Sequence, residues 1–308
     1  MDRRSLITGY ALVAVGAALF SSKAIFIKLA YAERFDALLI LAWRMVFALP
    51  VFIAVGVYEV LRLRRQSKPL PRRNAVLGAI GIGLVGYYVA MILDFSGLLY
   101  VTAQLERLAL FTYPIFLIFI GAGFFGMRLT PSSLVAALIT YIGLAFVFIS
   151  DFSVGGSNIT LGTALVLGSA ISFAVYQLMA KRYISEMGPA LFTSVALSAA
   201  AVTTLLHVFI ARGGLDRSMS TNYFVLAAAT GLLATVVPSF MVNAGMARIG
   251  AASTAMISNI SPLLTIYFAV VLLGEDFTPA HGIGTALVVG GVGYHAWREL
   301  KKPSPAKT

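Results

Sequence analysis

The sequence predicts an all-α polytopic membrane protein: ten transmembrane helices as a 5+5 inverted repeat, with both termini cytoplasmic. Three observations predict it. Of 308 residues, 59% are hydrophobic and only 11% charged, against about 45–50% and about 25% in soluble domains. The apolar residues gather into runs of the roughly 20 residues that a spanning helix needs. Two blocks of the first half also recur in the second. So little charge could not cover a water-exposed surface, which excludes a soluble enzyme. There is no cysteine, and the three histidines, His207, His281 and His295, are scattered, so no thiolate chemistry and no metal-site spacing is offered. No cofactor and no metal is expected.

In chain order, spans are expected at Leu6–Ile27, Ala37–Val57, Ala75–Leu93, Val101–Phe124, Ser132–Ser150, Leu161–Ala180, Ala190–Ile210, Tyr223–Gly245, Gly250–Leu273 and Pro279–Trp297. The first follows Arg3 and Arg4 and has the outline of a secretory leader. It has a counterpart deep inside the chain, however, and is expected to be a structural span. Between the second and third lies the basic run Arg62–Arg73, read as a loop beside anionic headgroups rather than a nucleic-acid site. The third carries Gly81-Ile82-Gly83-Leu84-Val85-Gly86, a literal G-x-G-x-x-G. Buried in an apolar run with no strand before it, it reads as a packing face for a neighbouring helix. The fourth and ninth contain Pro114 and Pro262, which remove a helical donor and suit a hinge or cavity wall. The tail 303–308 is expected to be flexible.

Charge placement orients the spans. Arg3, Arg4, Arg62, Arg64, Arg65, Lys68, Arg72, Arg73, Arg128, Lys181, Arg182, Arg248, Arg298, Lys301, Lys302 and Lys307 fall at one set of span ends. The other set has only Lys28, Arg34, Arg212 and Arg217, together with Glu33, Asp36, Asp94, Asp151, Asp216, Glu275 and Asp276. By the positive-inside rule the first set is cytoplasmic.

The repeat has two gapless blocks. Gly9–Leu38 aligns with Gly162–Leu191, where the scarce charges Lys28/Lys181 and Glu33/Glu186 coincide. Pro114 falls on Pro262, Gly126 on Gly274, Thr130 on Thr278, Pro131 on Pro279 and Gly143 on Gly291. The halves are residues 1–150 and 151–302. Five spans per half is an odd number, so the second half is expected upside down. Inverted repeats build secondary transporters with a midplane site and alternating access.

The block Leu273-Gly274-Glu275-Asp276-Phe277-Thr278-Pro279, followed by a glycine-rich last helix from Gly282 to Val292, resembles the closing signature of the drug/metabolite transporter superfamily, in its ten-helix EamA-type members. A degenerate copy, Phe125-Gly126-Met127-Arg128-Leu129-Thr130-Pro131, closes the first half. Met127 replaces that family's glutamate, and Leu19-Phe20-Ser21 stands where many members have Leu-Trp-Ser. The resemblance implies a central cavity lined mainly by spans one to four and six to nine. It also implies transport of a small metabolite such as an amino acid or drug-like amphiphile, with outward movement favoured.

Ionisable residues inside spans mark the candidate site, because they are costly in lipid. Lys23, Arg44 and Glu106 lie at similar depth, which allows an ion cluster, with Glu106 the candidate for proton or substrate-charge coupling. Arg107, about 100° round the helix from Glu106, need not share its environment. In the ninth span Thr254, Ser258, Ser261 and Thr265 recur along one face. Thr102, Glu106 and Tyr113 share an arc of the fourth. Ser169 and Tyr176 share a face of the sixth, and Ser239 and Asn243 one of the eighth, whose repeat mates include Tyr87 and Met91. The candidate lining is therefore Lys23, Arg44, Tyr87, Met91, Thr102, Glu106, Tyr113, Ser169, Tyr176, Ser239, Asn243, Thr254, Ser258 and Ser261, with Pro114 and Pro262 as hinges. The expected function is a secondary-active carrier of the inner membrane, with a small-molecule substrate, the bilayer and protons as its partners. The alternatives are a passive channel or a membrane-embedded enzyme, the latter lacking any H-E-x-x-H or paired intramembrane aspartates.

Overall fold

The computed structural model describes residues 3–126, 129–155, 157–258 and 260–300, without the side chains at 3, 4, 154, 155, 157, 181, 243, 246, 247, 250–256, 295, 296, 299 and 300. Every regular element among them is helical. Eight helical stretches are long and apolar enough to cross a membrane, from Ser5–Glu33 to Thr221–Val242. Ten spans were expected. The ninth is divided: its first part continues the helix Val237–Ser258, and its second is the separate helix Ser261–Leu273. The stretch expected as the tenth forms the helix Pro279–Leu300.

The helices of the first half are α1 (Arg3–Ser21), α2 (Lys23–Glu33), α3 (Ala37–Arg65), α4 (Arg73–Gly83), α5 (Ala90–Leu98), α6 (Ala103–Leu110), α7 (Tyr113–Phe125) and α8 (Pro131–Gly155). Those of the second are α9 (Ser157–Met187), α10 (Pro189–Arg212), α11 (Thr221–Gly231), α12 (Val237–Ser258), α13 (Ser261–Leu273) and α14 (Pro279–Leu300). The bounds of α4 and α11, of α7 and α13, and the starts of α8 and α14 fall at one constant offset. It is the offset at which Pro114 meets Pro262.

The likeness extends to the irregularities. A π-helical turn follows α4 at Leu84–Val89 and α11 at Leu232–Val236. In the second half Pro238 lacks the N–H that an α-helix would use, and the Thr235 hydroxyl donates to the Thr230 carbonyl five residues back at 2.8 Å. Both α7 and α13 end on a left-handed glycine, Gly126 (φ 66°) and Gly274 (φ 67°), whose N–H groups bond to the carbonyls of Gly121 and Ala269. A Cβ at such φ strains the backbone, which accounts for the two glycines. Pro114 and Pro262 stand in the first turns of α7 and α13, where a missing N–H is tolerated. They mark helix starts after a break rather than kinks inside a continuous span.

Close packing across the halves also comes in matched pairs. A Cβ at Gly97 would lie 2.8 Å from the Gly162 carbonyl oxygen, drawing α5 onto α9. At the mated positions, a Cβ at Gly245 would lie 2.9 Å from the Gly9 carbonyl oxygen, drawing α12 onto α1. Gly143 and Gly284 do the same for α8 and α14, at 2.7 Å and 2.6 Å from each other's carbonyls. In lipid, backbones approach this closely only through small residues. The G-x-G-x-x-G segment divides: Gly83 abuts the Ala196 backbone and Gly86 the Tyr176 ring, while Gly81 meets nothing within 4 Å.

Candidate functional site

Five backbone irregularities surround one cavity. The first span breaks between α1 and α2, where the Ser22 hydroxyl donates to the Leu19 carbonyl at 2.7 Å. The two π-helical turns contribute Gly86, Tyr87, Ala234 and Thr235 to its wall. The fourth span breaks after α6, and the ninth before α13. Non-helical backbone at membrane depth is tolerated where it is buried in protein or lines a cavity. The volume is 290 Å³, near the lower end of the roughly 300–1,000 Å³ usual for ligand pockets. A larger outward groove of 700 Å³ between α3 and α10 has Arg64 as the one charge in its lining, which is otherwise apolar but for Ser194, Ser198 and Thr203.

Lys23 is the first residue of α2, at the break. Its ammonium donates to Asp94 Oδ2 of α5 and, at 3.0 Å, to Glu106 Oε1 of α6. Both carboxylates are buried, and Asp94 Oδ1 and Glu106 Oε2 have no hydrogen-bond partner. Arg44 of α3 is 2% exposed. Its Nε donates to Thr235 Oγ1 at 3.1 Å, its guanidinium lies 5.1 Å from the centre of the Phe95 ring, and its Nη1 is unpartnered. Arg107 Nη2 donates to Ser261 Oγ, while its buried Nε has no partner. Ser261 Oγ lies 2.7 Å from Ser21 Oγ, tying α13 to the end of α1.

Of the residues singled out in the sequence, the cavity wall contains Lys23, Arg44, Tyr87, Met91, Tyr113, Ser169, Ser239, Ser258 and Ser261. Three do not line it. Glu106 is fully buried behind Lys23. Thr102 caps α6, accepting from Leu105 N at 3.0 Å, and donates to Asp151 Oδ2 at 2.7 Å. Tyr176 stands behind Tyr87, with 2.9 Å between the two hydroxyl oxygens, and stacks on Phe173 and Phe192. The side chains of Asn243 and Thr254 lie outside the described residues. Thr265 of the same hydroxyl stripe is buried against α1, donating to the Ser21 carbonyl at 3.1 Å.

Two charged lining residues escaped the sequence reading. Asp94 was counted among the acids at the outer span ends, one residue beyond the expected third span; it is 4% exposed and lines the cavity. The clue available was its position one residue past Leu93, within the uncertainty of any span end. Arg107 shares the site after all, because α6 packs against both α2 and α13, so that Glu106 meets Lys23 while Arg107 meets Ser261. Glu275 of the closing signature is a clamp: its carboxylate accepts from the N–H groups of Ala103 (2.7 Å) and Gln104 (3.2 Å), the first free amides of α6. A carboxylate is favoured there by the helix dipole as well.

The chain is similar to known proteins over most of its length. "Uncharacterized transporter YcbK" of Bacillus subtilis is 28% identical, over 97% of this chain and 97% of its own length. "Uncharacterized transporter sll1319" of Synechocystis sp. is 25% identical over 87% of this chain and 81% of its own. A solved crystal structure, 19% identical, has a TM-score of 0.62 over 99% of this chain and 100% of its own, a likeness of fold alone. The model of the EamA-like transporter family matches twice, over residues 7–149 and again over 160–294, one match to each half. Spanning nearly all of a chain of apolar helices around a polar cavity, this double match makes the protein a membrane transporter of the EamA-like transporter family.

Proposed function

We propose that the chain is a secondary-active carrier of a small organic metabolite, moving it outward across the inner membrane by alternating access about the cavity. Ten spans form two five-helix halves of opposite orientation, residues 1–150 and 151–302, with both termini in the cytoplasm. The paired π-turns, the paired left-handed glycines and the mated contacts Gly97–Gly162 and Gly245–Gly9 support a pseudo-two-fold relation between the halves. The breaks before Lys23, Tyr113 and Ser261 are the hinges about which one half rocks on the other.

The observation that carries the reading is Lys23 bridging Asp94 and Glu106 beside a cavity that both halves line. One ammonium shared by two carboxylates lets the site accept a proton without losing its ion pair: when Glu106 is protonated, Lys23 stays with Asp94. Glu106 is therefore the coupling residue and Asp94 the permanent counter-ion.

Counterflow in proteoliposomes tests the reading, since only a carrier speeds labelled solute on one side in response to unlabelled solute on the other. Glu106→Gln is expected to keep counterflow and lose uphill movement driven by a pH gradient. Flux that rises linearly with solute and shows no counterflow would mean a channel. Unchanged gradient-driven transport in the glutamine variant would remove Glu106 from coupling.

A further inference from the structure

We infer that the cargo is a monoanion, a carboxylate on an apolar body, held by Arg44 and Arg107; this rests on the carrier function proposed above. The cavity region holds three cations, Lys23, Arg44 and Arg107, and two carboxylates, Asp94 and Glu106. Both carboxylates are engaged by Lys23. Neither guanidinium makes an ion pair with a described residue. Their hydrogen-bond partners are the neutral hydroxyls of Thr235 and Ser261. Arginine does not deprotonate in proteins, so the site keeps one positive charge in excess with Glu106 ionised, and two once Glu106 carries a proton.

A buried charge without a counter-charge is unstable in proportion to its desolvation, and in a membrane interior water cannot supply the remedy freely. Arg44 is the sharpest case. It is almost entirely buried, with Nη1 free beside a cavity that it lines. Arg107, on the wall of the same cavity, adds a buried Nε without a partner. Planar guanidinium donors match a carboxylate. The rest of the wall, including Phe20, Met91, Phe111 and Phe173, suits an apolar body.

A zwitterion brings no net charge and leaves the excess uncompensated. A dianion overcompensates whenever Glu106 is ionised. The asymmetry is written in the repeat as well. The mates of Lys23, Arg44, Asp94 and Arg107 are Tyr176, Leu197, Val242 and Ala255, so none of these mated positions supplies a charge to oppose the two guanidiniums.

The experiment uses purified full-length protein in proteoliposomes with labelled phenylpyruvate, whose acid is strong enough to stay ionised and not leak. Phenylalanine is the zwitterionic comparator and phenylsuccinate the dianionic one. Phenylpyruvate binding is followed in parallel by calorimetry in detergent. Phenylpyruvate should show counterflow at least tenfold faster than either comparator. Arg44→Gln should reduce binding and exchange at least tenfold, and Arg44→Lys should recover part of both. If Arg44→Gln does not fold, Arg107→Gln should show the same selective loss.

Counterflow of phenylalanine or phenylsuccinate without phenylpyruvate would overturn the monoanion and leave the carrier standing. Phenylpyruvate binding that needs Arg44, with no counterflow, would keep the anion site and overturn the carrier. No phenylpyruvate binding and no exchange, or loss of neither in the folded arginine variants, would overturn the inference.

Discussion

At the scale of single residues, the Lys23 ammonium holds two buried carboxylates together, and its removal is the most damaging change the site offers. Lys23→Met leaves Asp94 and Glu106 facing each other without a cation. Breaking a buried pair this way costs about 3–5 kcal/mol. The expected result is loss of monodisperse protein in detergent, with recovery in Lys23→Met/Asp94→Asn. Glu106→Gln, which leaves the Lys23–Asp94 pair in place, should purify like the parent. A Lys23→Met protein as stable as the parent would show that the pairing contributes nothing to the fold. Ser258 gives a second test. It lines the cavity, whereas Ile257 is absent from the lining, so Ser258→Trp should block transport with normal expression and Ile257→Trp should not. Equal loss of folded protein in both would make that turn a packing surface.

At the scale of elements, helix packing and helix capping decide what is tolerated. Gly83 and Gly81 lie two residues apart in one motif and should behave oppositely. Gly83→Leu drives a side chain into the Ala196 backbone, 2.7 Å from where its Cβ would sit, an overpacking cost of about 1–3 kcal/mol. Gly81→Leu meets open space and should be neutral or slightly stabilising, since glycine is a poor helix former. Melting temperatures of the two variants in the same detergent check this, and equal shifts would refute it. Glu275→Ala strips the acceptor from the Ala103 and Gln104 amides. It should cost about 0.5–2 kcal/mol, as for other lost N-caps, with Glu275→Gln in between.

At the scale of the whole molecule, the orientation of the halves is open to chemical labelling, because the chain contains no cysteine. Ser67 and Ser218 are both exposed and stand in the mated links, after the second span of each half. Single cysteines at these positions should react from opposite faces of the membrane, Ser67→Cys from the cytoplasm and Ser218→Cys from outside. Labelling from one face would mean that the halves run parallel, and the rocking mechanism would fall with the inversion.

The helical membrane class, the transporter family and the places of Gly126, Gly274, Pro114 and Pro262 could be read from the chain alone. Apolar run length and turn chemistry are local properties, and local properties survive in sequence. Lys23 and Glu106 could be suspected for the same reason, since a charge inside an apolar run announces itself. Which charge faces which could not. Asp94 lies at a span end, where a shift of one residue decides between headgroup and cavity. The partition of Glu106 toward Lys23 and Arg107 toward Ser261 depends on how α2 and α13 pack on different sides of α6. The hydroxyl stripe divided as well, with Ser258 and Ser261 on the cavity and Thr265 against α1. Only the packed helices decided these matters, because a partner 71 or 154 residues away along the chain is selected by where backbones can approach, and no periodicity in one helix carries that information.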